Sequence, residues 1–400
     1  VMPSGVKRIN AKRTLTTESL AVFMPFKVQE IQDTQGIYYG KNVISKNMIL
    51  IDRKQLQNGN SFILGVSGSG KSFTAKQEIT SIALREKDAD IIVIDPEAEY
   101  KPLIKELGGE VIKISATSDN HINALDMNKN YDDKKPLVAK SEFILSLCEQ
   151  ILKNITPSQE AIIDRCTTEV YKYYEQGNFQ GTPPTLNDFR DVLLRQEEKE
   201  AKDIALGLEL FTKGSLNTFA KQTNVETNNR IICYDIMDLG EQLLPIGMLV
   251  ILDSIINRIS KNRQEGKRTY IFIDEIYLLF KYDYTANFIS TLWKRIRKYG
   301  GCATGITQNI EEILKREKSS TMFSNSELII MLNQSATDRE KLVECLKISE
   351  MEKGFITNVG SGEGLIKIRN SLIPFKNKFP KDTKLYKLMT TKIEETTGEV

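Results

Sequence analysis

Eight consecutive residues, Gly65-Val66-Ser67-Gly68-Ser69-Gly70-Lys71-Ser72, have the types and spacing needed to grip a phosphate chain. Glycine at Gly65, Gly68 and Gly70 lets successive backbone N–H groups turn inward, so the main chain alone forms a concave anion site. A helix starting at Lys71 would point its positive end at the same place. Lys71 would reach the β- and γ-phosphates of ATP, and the Ser72 hydroxyl would ligate Mg2+. Ser67, Ser69 and Phe73 complete the nucleotide-binding stretch. The flanks agree with this chemistry: an apolar triplet, Phe62–Leu64, precedes the loop and an amphipathic segment, Ser72–Glu86, follows it.

A second group ends another apolar run. Tyr270-Ile271-Phe272-Ile273 leads directly into Asp274-Glu275, which puts two carboxylates at the end of a buried strand, where layered α/β proteins bind ligands. Asp274 is read as a second holder of Mg2+, and Glu275 as the general base that polarises the attacking water. Together the two groups define an ATP-hydrolysing site with catalytic Lys71 and Glu275 and metal-holding Ser72 and Asp274. A third run, Ala303–Thr307, ends in Gln308. This amide is read as a sensor of the γ-phosphate or the water, the alternative being a polar cap on the helix that follows. Just upstream, Lys294-Arg295-Ile296-Arg297-Lys298 puts four cations at a helix end, a placement the helix dipole favours without any further role. Asp95-Pro96-Glu97-Ala98-Glu99-Tyr100 also follows an apolar run, and its acidic, turn-forming character assigns it no task.

These residues need a scaffold of parallel strands. Phe62–Leu64, Ile91–Ile94, Val111–Ile114, Ile231–Tyr234, Tyr270–Ile273, Ala303–Ile306 and Leu328–Leu332 are short apolar runs without alternation, as expected for strands covered on both faces. Helical segments such as Ser72–Glu86 and Leu243–Ile259 lie between them, so the fold class is α/β. From about Lys134 to Thr223 only helical periodicity is found, and Thr156-Pro157-Ser158-Gln159 is a capping-box start for one of its helices. The expected division is an N-terminal extension over 1–58, an ATPase core over 59–130 and 227–375, an inserted all-helical subdomain over 131–226, and a C-terminal tail over 376–400. Within the extension, Gly36–Ile51 reads as a strand pair turning at Gly40-Lys41-Asn42. Leu365–Ile368 reads as the last strand, and the tail from Lys381 as either helix or disordered chain.

Composition limits the function classes. The 400 residues are 40% hydrophobic and 27% charged, with a net charge of +2, which disfavours a protein devoted to coating nucleic acid. The longest apolar stretch, Leu243–Ile256, is interrupted by Pro245 and Asp253, so no membrane span is expected and the chain reads as cytosolic. Five scattered cysteines with no Cys-x-x-Cys pair indicate neither a disulfide framework nor a zinc cluster, and the single His121 has no nucleophile pattern beside it. The start at Val-Met-Pro suggests a piece of something longer.

The loop Gly65–Ser72, the turn Asp95–Tyr100, the helical insertion, Ile273-Asp274-Glu275 and the block Arg297-Lys298-Tyr299-Gly300-Gly301…Thr307-Gln308 occur in a specific order. In that order the chain resembles, from about Phe26 to Arg369, the ATPase domain of the VirB-type conjugation ATPase of type IV secretion systems, within the HerA/FtsK superfamily of P-loop motors. The resemblance implies a RecA-like core, a ring that is hexameric when active, and ATP sites between subunits. It matches Arg297 to an arginine finger that reaches a neighbour's ATP, with Arg295 and Lys298 close enough to compete for the role. It also implies other type IV secretion components as partners, a place at the cytoplasmic face of the membrane, and membrane contact only through partners or through a further N-terminal domain that this chain lacks. The leading function is therefore a motor that energises substrate transfer or pilus assembly. A DNA-pumping translocase and a nucleotide-gated scaffold with little turnover are the competing readings, and binding of DNA stays open.

Overall fold

Ile91, Ile92, Val93 and Ile94 are all buried, yet they serve opposite sides of one sheet. Ile92 and Ile94 pack with Ile271, Ile273 and Leu249, while Ile91 and Val93 pack with Phe272, Ile79 and Leu103. A strand in this position has no solvent face, which explains why its sequence shows no polar alternation.

The computed structural model describes residues 16–21, 28–131 and 135–391. Among them, eleven strands form one sheet: β1 (Ile37–Asn42), β2 (Met48–Ile51), β3 (Ser61–Leu64), β4 (Asp90–Asp95), β5 (Glu110–Lys113), β6 (Ile231–Asp235), β7 (Thr269–Ile273), β8 (Gly301–Thr307), β9 (Leu328–Met331), β10 (Glu363–Ile368) and β11 (Ser371–Lys376). Their order is β2-β1-β11-β10-β9-β3-β8-β7-β4-β6-β5. The stretch from β9 to β5 is parallel throughout. Beyond β9 the pairing with β10, β11, β1 and β2 is antiparallel. In the parallel part β8 stands between β3 and β7, with Leu64 level with Thr307 and Ile273 level with Gly305. This register brings the ends of three strands that are distant in sequence to one edge. The fold is a RecA-like P-loop core with a mostly parallel sheet.

Helix Lys71–Arg85 and the short helices Lys101–Glu106 and Lys384–Met389 cover one face of the sheet. Helices Leu244–Gln264 and Asp283–Arg295 cover the other. Between β5 and β6 the described residues form helices and loops without a strand, chiefly Pro136–Leu152, Pro157–Gln176, Leu186–Arg195 and Lys199–Gly207. The capping box at Thr156 is present, with Thr156 Oγ1 accepting from the Gln159 N–H and the Gln159 side chain accepting from the Thr156 N–H. This helical stretch is continuous with the sheet's core through Phe143, Ile144 and Leu147. Lys140 within it makes a buried ion pair, 2.7 Å, with Asp253 of helix Leu244–Gln264.

Two local expectations are corrected. Gly40-Lys41-Asn42 is not a turn: all three lie in β1, and the hairpin turns over residues 43–47, where Asn42 Oδ1 accepts from the N–H groups of Ile44 and Ser45. Gly40 instead marks a bulge, where the β1–β2 register shifts between Tyr38 and Gly40. Leu365–Ile368 is not the last strand, because β11 follows and pairs with β10 and β1. The tail from Lys381 carries the helix Lys384–Met389, and its last residues, 392–400, lie outside the described residues.

Candidate active site

The loop after β3 is bent by its own backbone. Val66 C=O accepts from the Ser69 N–H (3.2 Å), the Ser69 hydroxyl (2.7 Å) and Lys71 Nζ (3.4 Å). Gly70 adopts φ 101, a left-handed conformation that L side chains rarely take, and it hands the chain to helix Lys71–Arg85. Gly65 is required by proximity: a Cβ there would meet Ser69 Oγ at 2.5 Å. Gly362, between β9 and β10, donates its N–H to Ser69 C=O at 3.0 Å and braces the loop from outside.

Ser67, Gly68, Gly70, Lys71, Ser72 and Phe73 line a cavity of about 150 Å³. Asp274, Glu275 and Gln308 line the same cavity. Gly65 and Ser69 shape the loop and are not among its lining residues. Gln308 does not cap the next helix; the cap of Ile310–Lys315 is Asn309, whose side chain accepts from the Glu312 N–H. Arg297 lies elsewhere. It is exposed, in the short turn Ile296–Tyr299 that precedes β8, whereas Gln308 follows the other end of that strand. At about 3.3 Å per residue, β8 separates the two by roughly 20 Å, so Arg297 cannot serve the cavity of its own subunit.

The two carboxylates are buried, Asp274 at 5% exposure and Glu275 at 6%. Burial pushes the Asp274 carboxyl up to about 7, against the pull of hydrogen bonds from the Tyr100 hydroxyl and the Glu275 N–H. Burial also raises Glu275, with Lys71 opposing and Glu97 reinforcing the shift. Glu275 sits at φ 44 with Oε2 buried and, among the described residues, without a hydrogen-bond partner. A non-glycine residue in that region is strained, and such strain persists where surrounding structure enforces it.

Several residues reach the site that sequence reasoning missed. Glu97, Glu99, Thr390 and Thr391 also line the cavity. Phe73 packs against Phe379 and Tyr386, with ring centroids 5.8 and 5.4 Å away. Tyr100 is fully buried and donates to Asp274 Oδ2 at 2.9 Å. The Asp95–Tyr100 motif was a visible signal for this contact, but it did not reveal its partner; for Thr390 and Thr391 the sequence offers no comparable signal.

A Gly-x-x-x-x-Gly-Lys-Ser loop between strand and helix, facing an acidic pair one strand beyond its neighbour, defines a P-loop nucleoside triphosphatase fold. The TraG P-loop domain matches residues 43–394, and the chain belongs to that family. No curated protein sequence matches it. Among solved structures, VirB4 of Thermoanaerobacter pseudethanolicus is similar with a TM-score of 0.76 and 25% identity, over 88% of this chain and 99% of that one. The bacterial conjugative coupling protein TrwBdeltaN70 is similar with a TM-score of 0.52 and 14% identity, over 82% of this chain and 86% of that one. The second likeness is one of fold alone.

Proposed function

We propose that the chain is the ATP-hydrolysing motor of a type IV secretion or conjugative transfer system, working as a ring and energising substrate transfer or pilus assembly. The observation that carries this reading is the meeting of Lys71, Ser72, Asp274, Glu275 and Gln308 in one cavity, drawn from β3, β7 and β8. The match to VirB4 over nearly the whole of that chain supports the choice of system.

In this reading the loop's N–H groups and Lys71 hold the β- and γ-phosphates. Ser72 and Asp274 would hold Mg2+, and their presence on one cavity fits that ion. Bound there, Mg2+ supplies positive charge to the phosphate oxygens. Glu275 accepts the proton of the attacking water, a task helped by a raised affinity for protons. Gln308 orients the water or reads the γ-phosphate. Arg297, far from its own site, would be donated to a neighbour's. Association with other secretion components would place the chain at the cytoplasmic face of the membrane; among the described residues no helix is long and apolar enough to cross one.

The test is Mg2+-dependent ATP hydrolysis by the purified chain, measured at several protein concentrations with and without DNA. Lys71→Ala should abolish most of the turnover and much of the nucleotide binding. Concentration-dependent activity that DNA leaves unchanged supports the secretion motor. Strong stimulation by single- or double-stranded DNA would favour a DNA translocase of the coupling-protein kind, and wild-type binding without turnover would leave a nucleotide-gated scaffold.

A further inference from the structure

The turn Asp95–Tyr100 has no task in the reading above, yet it enters the site from β4, a strand that carries no part of the phosphate loop. Its geometry is built around one carboxylate. Asp95 accepts from the backbone N–H groups of Glu97 (3.3 Å), Glu99 (3.2 Å) and Tyr100 (2.9 Å). These bonds close the turn on itself and hold Ala98 at φ 56. No side chain of the turn caps the helix Lys101–Glu106 that follows. What the turn does accomplish is the delivery of Tyr100.

The Tyr100 ring is 0% exposed, and the Lys76 ammonium stands 5.2 Å from its centroid. The hydroxyl donates to Asp274 Oδ2 at 2.9 Å. The Glu275 N–H donates to Asp274 Oδ1, also at 2.9 Å. One donor on each oxygen fixes both the position and the plane of the carboxylate. Because a carboxylate offers about four lone-pair sites, each oxygen keeps acceptor capacity for a further partner. This is the arrangement expected of an outer partner that orients a metal-holding carboxylate.

We propose that Tyr100 is a positioning residue of the magnesium site: its hydroxyl, set by the Asp95 turn, holds Asp274 in the orientation that receives the cation and its waters. The proposal rests on the ATP–magnesium reading above and adds a residue to it. A phenol buried only for packing also needs an acceptor, so the test must read the metal and not merely stability.

Tyr100→Phe removes one oxygen and keeps the ring. The experiment titrates Mg2+ against binding of a fluorescent ATP analogue, and Mn2+ alone by electron paramagnetic resonance, with the melting temperature taken in parallel. The half-saturating Mg2+ and Mn2+ concentrations should rise about tenfold, the usual scale for loss of an outer partner. Affinity for the metal-free analogue should stay unchanged. Asp95→Asn, which weakens the turn but keeps an acceptor, should raise the metal requirement less. In an Asp274→Asn background Tyr100→Phe should add nothing. Wild-type metal dependence in Tyr100→Phe overturns the proposal, whatever happens to the melting temperature. If Tyr100→Phe does not fold, wild-type metal dependence in Asp95→Asn overturns it equally. Failure of the wild type to bind the magnesium nucleotide at all would overturn the reading beneath it as well, so the two failures are told apart.

Discussion

Two buried carboxylate sites lie against the same sheet and are treated differently by the chain. Near the starts of β3 and β8, Arg53 and Glu78 are 3% and 1% exposed and 2.6 Å apart. The guanidinium uses all three nitrogens: Nε on Gly59 C=O, Nη1 on Glu78 and Thr304 Oγ1, Nη2 on Ala303 C=O. Burial pushes its pKa down, but Glu78, with smaller contributions from Cys302 and Tyr39, holds it above the ordinary value. At the opposite edge of the sheet, just past β7, Asp274 and Glu275 are nearly as buried but form no ion pair among the described residues, and burial raises both. An anion matched by a cation inside the fold serves the fold. An anion left under-matched at that depth is held ready for a ligand, and the cost of holding it is a mark of function.

The comparison breaks most visibly if the under-matched edge needs no cation from outside. Arg297→Ala should bind ATP nearly normally and hydrolyse it about 10³–10⁵-fold more slowly, the range for an arginine supplied in trans. Mixing it with Lys71→Ala should restore some activity, since that subunit can donate its intact Arg297 to a neighbour's intact loop. Mixed rings whose rate never exceeds the sum of the separate rates would remove Arg297 from the site, with Arg295 and Lys298 next to be tested. Glu275→Gln should lose about 10²–10⁴-fold in turnover while retaining nucleotide; turnover like the wild type's would refute the general-base assignment.

The matched cluster should respond in stability instead. Arg53→Ala strands a buried Glu78 and should cost about 3–5 kcal/mol in denaturant unfolding. A loss under about 1 kcal/mol, the scale of exposed pairs, would mean the pair is not the clamp its burial implies. The smallest effect is one of pH. The folded Asp274 carboxyl titrates at about 7 against an ordinary 3.8. Between those values the native protein keeps a proton that the unfolded chain has released. This contribution to stability therefore falls as pH rises through the window. The metal-free protein should lose melting temperature between about pH 4 and 7 more steeply than its Asp274→Asn variant, and equal slopes would contradict the assignment.

The parallel strands were legible because burial on both faces removes polar residues from them, and Ile91–Ile94 and Tyr270–Ile273 show this directly. The phosphate loop was legible because its chemistry is contiguous. The β1–β2 turn was misplaced because Gly40 is needed for a close approach, not a reversal: a Cβ there would lie 3.0 Å from Lys376 C=O. β11 went unread because Pro374 lies inside it, and proline normally demotes a strand. The turn Asp95–Tyr100 stood out without a role because its partner, Asp274, is 174 residues further along the chain. Local pattern carries no information at that range. For the same reason nothing around Arg53 indicated a buried clamp, whose acceptors lie as far away as Thr304.

Strand β8 has a consequence for timing. All seven of its residues are buried, and it is hydrogen-bonded to β3 on one side and β7 on the other. Gln308 follows one end and Arg297 precedes the other. A strand hydrogen-bonded along both edges is stiff and ties the position of its nucleotide end to that of its far end. If Arg297 acts on the next subunit, the departure of one phosphate would be felt at the adjacent site through a single rigid element. Turnover would then pass around the ring in one direction, as a relay whose baton is the position of β8.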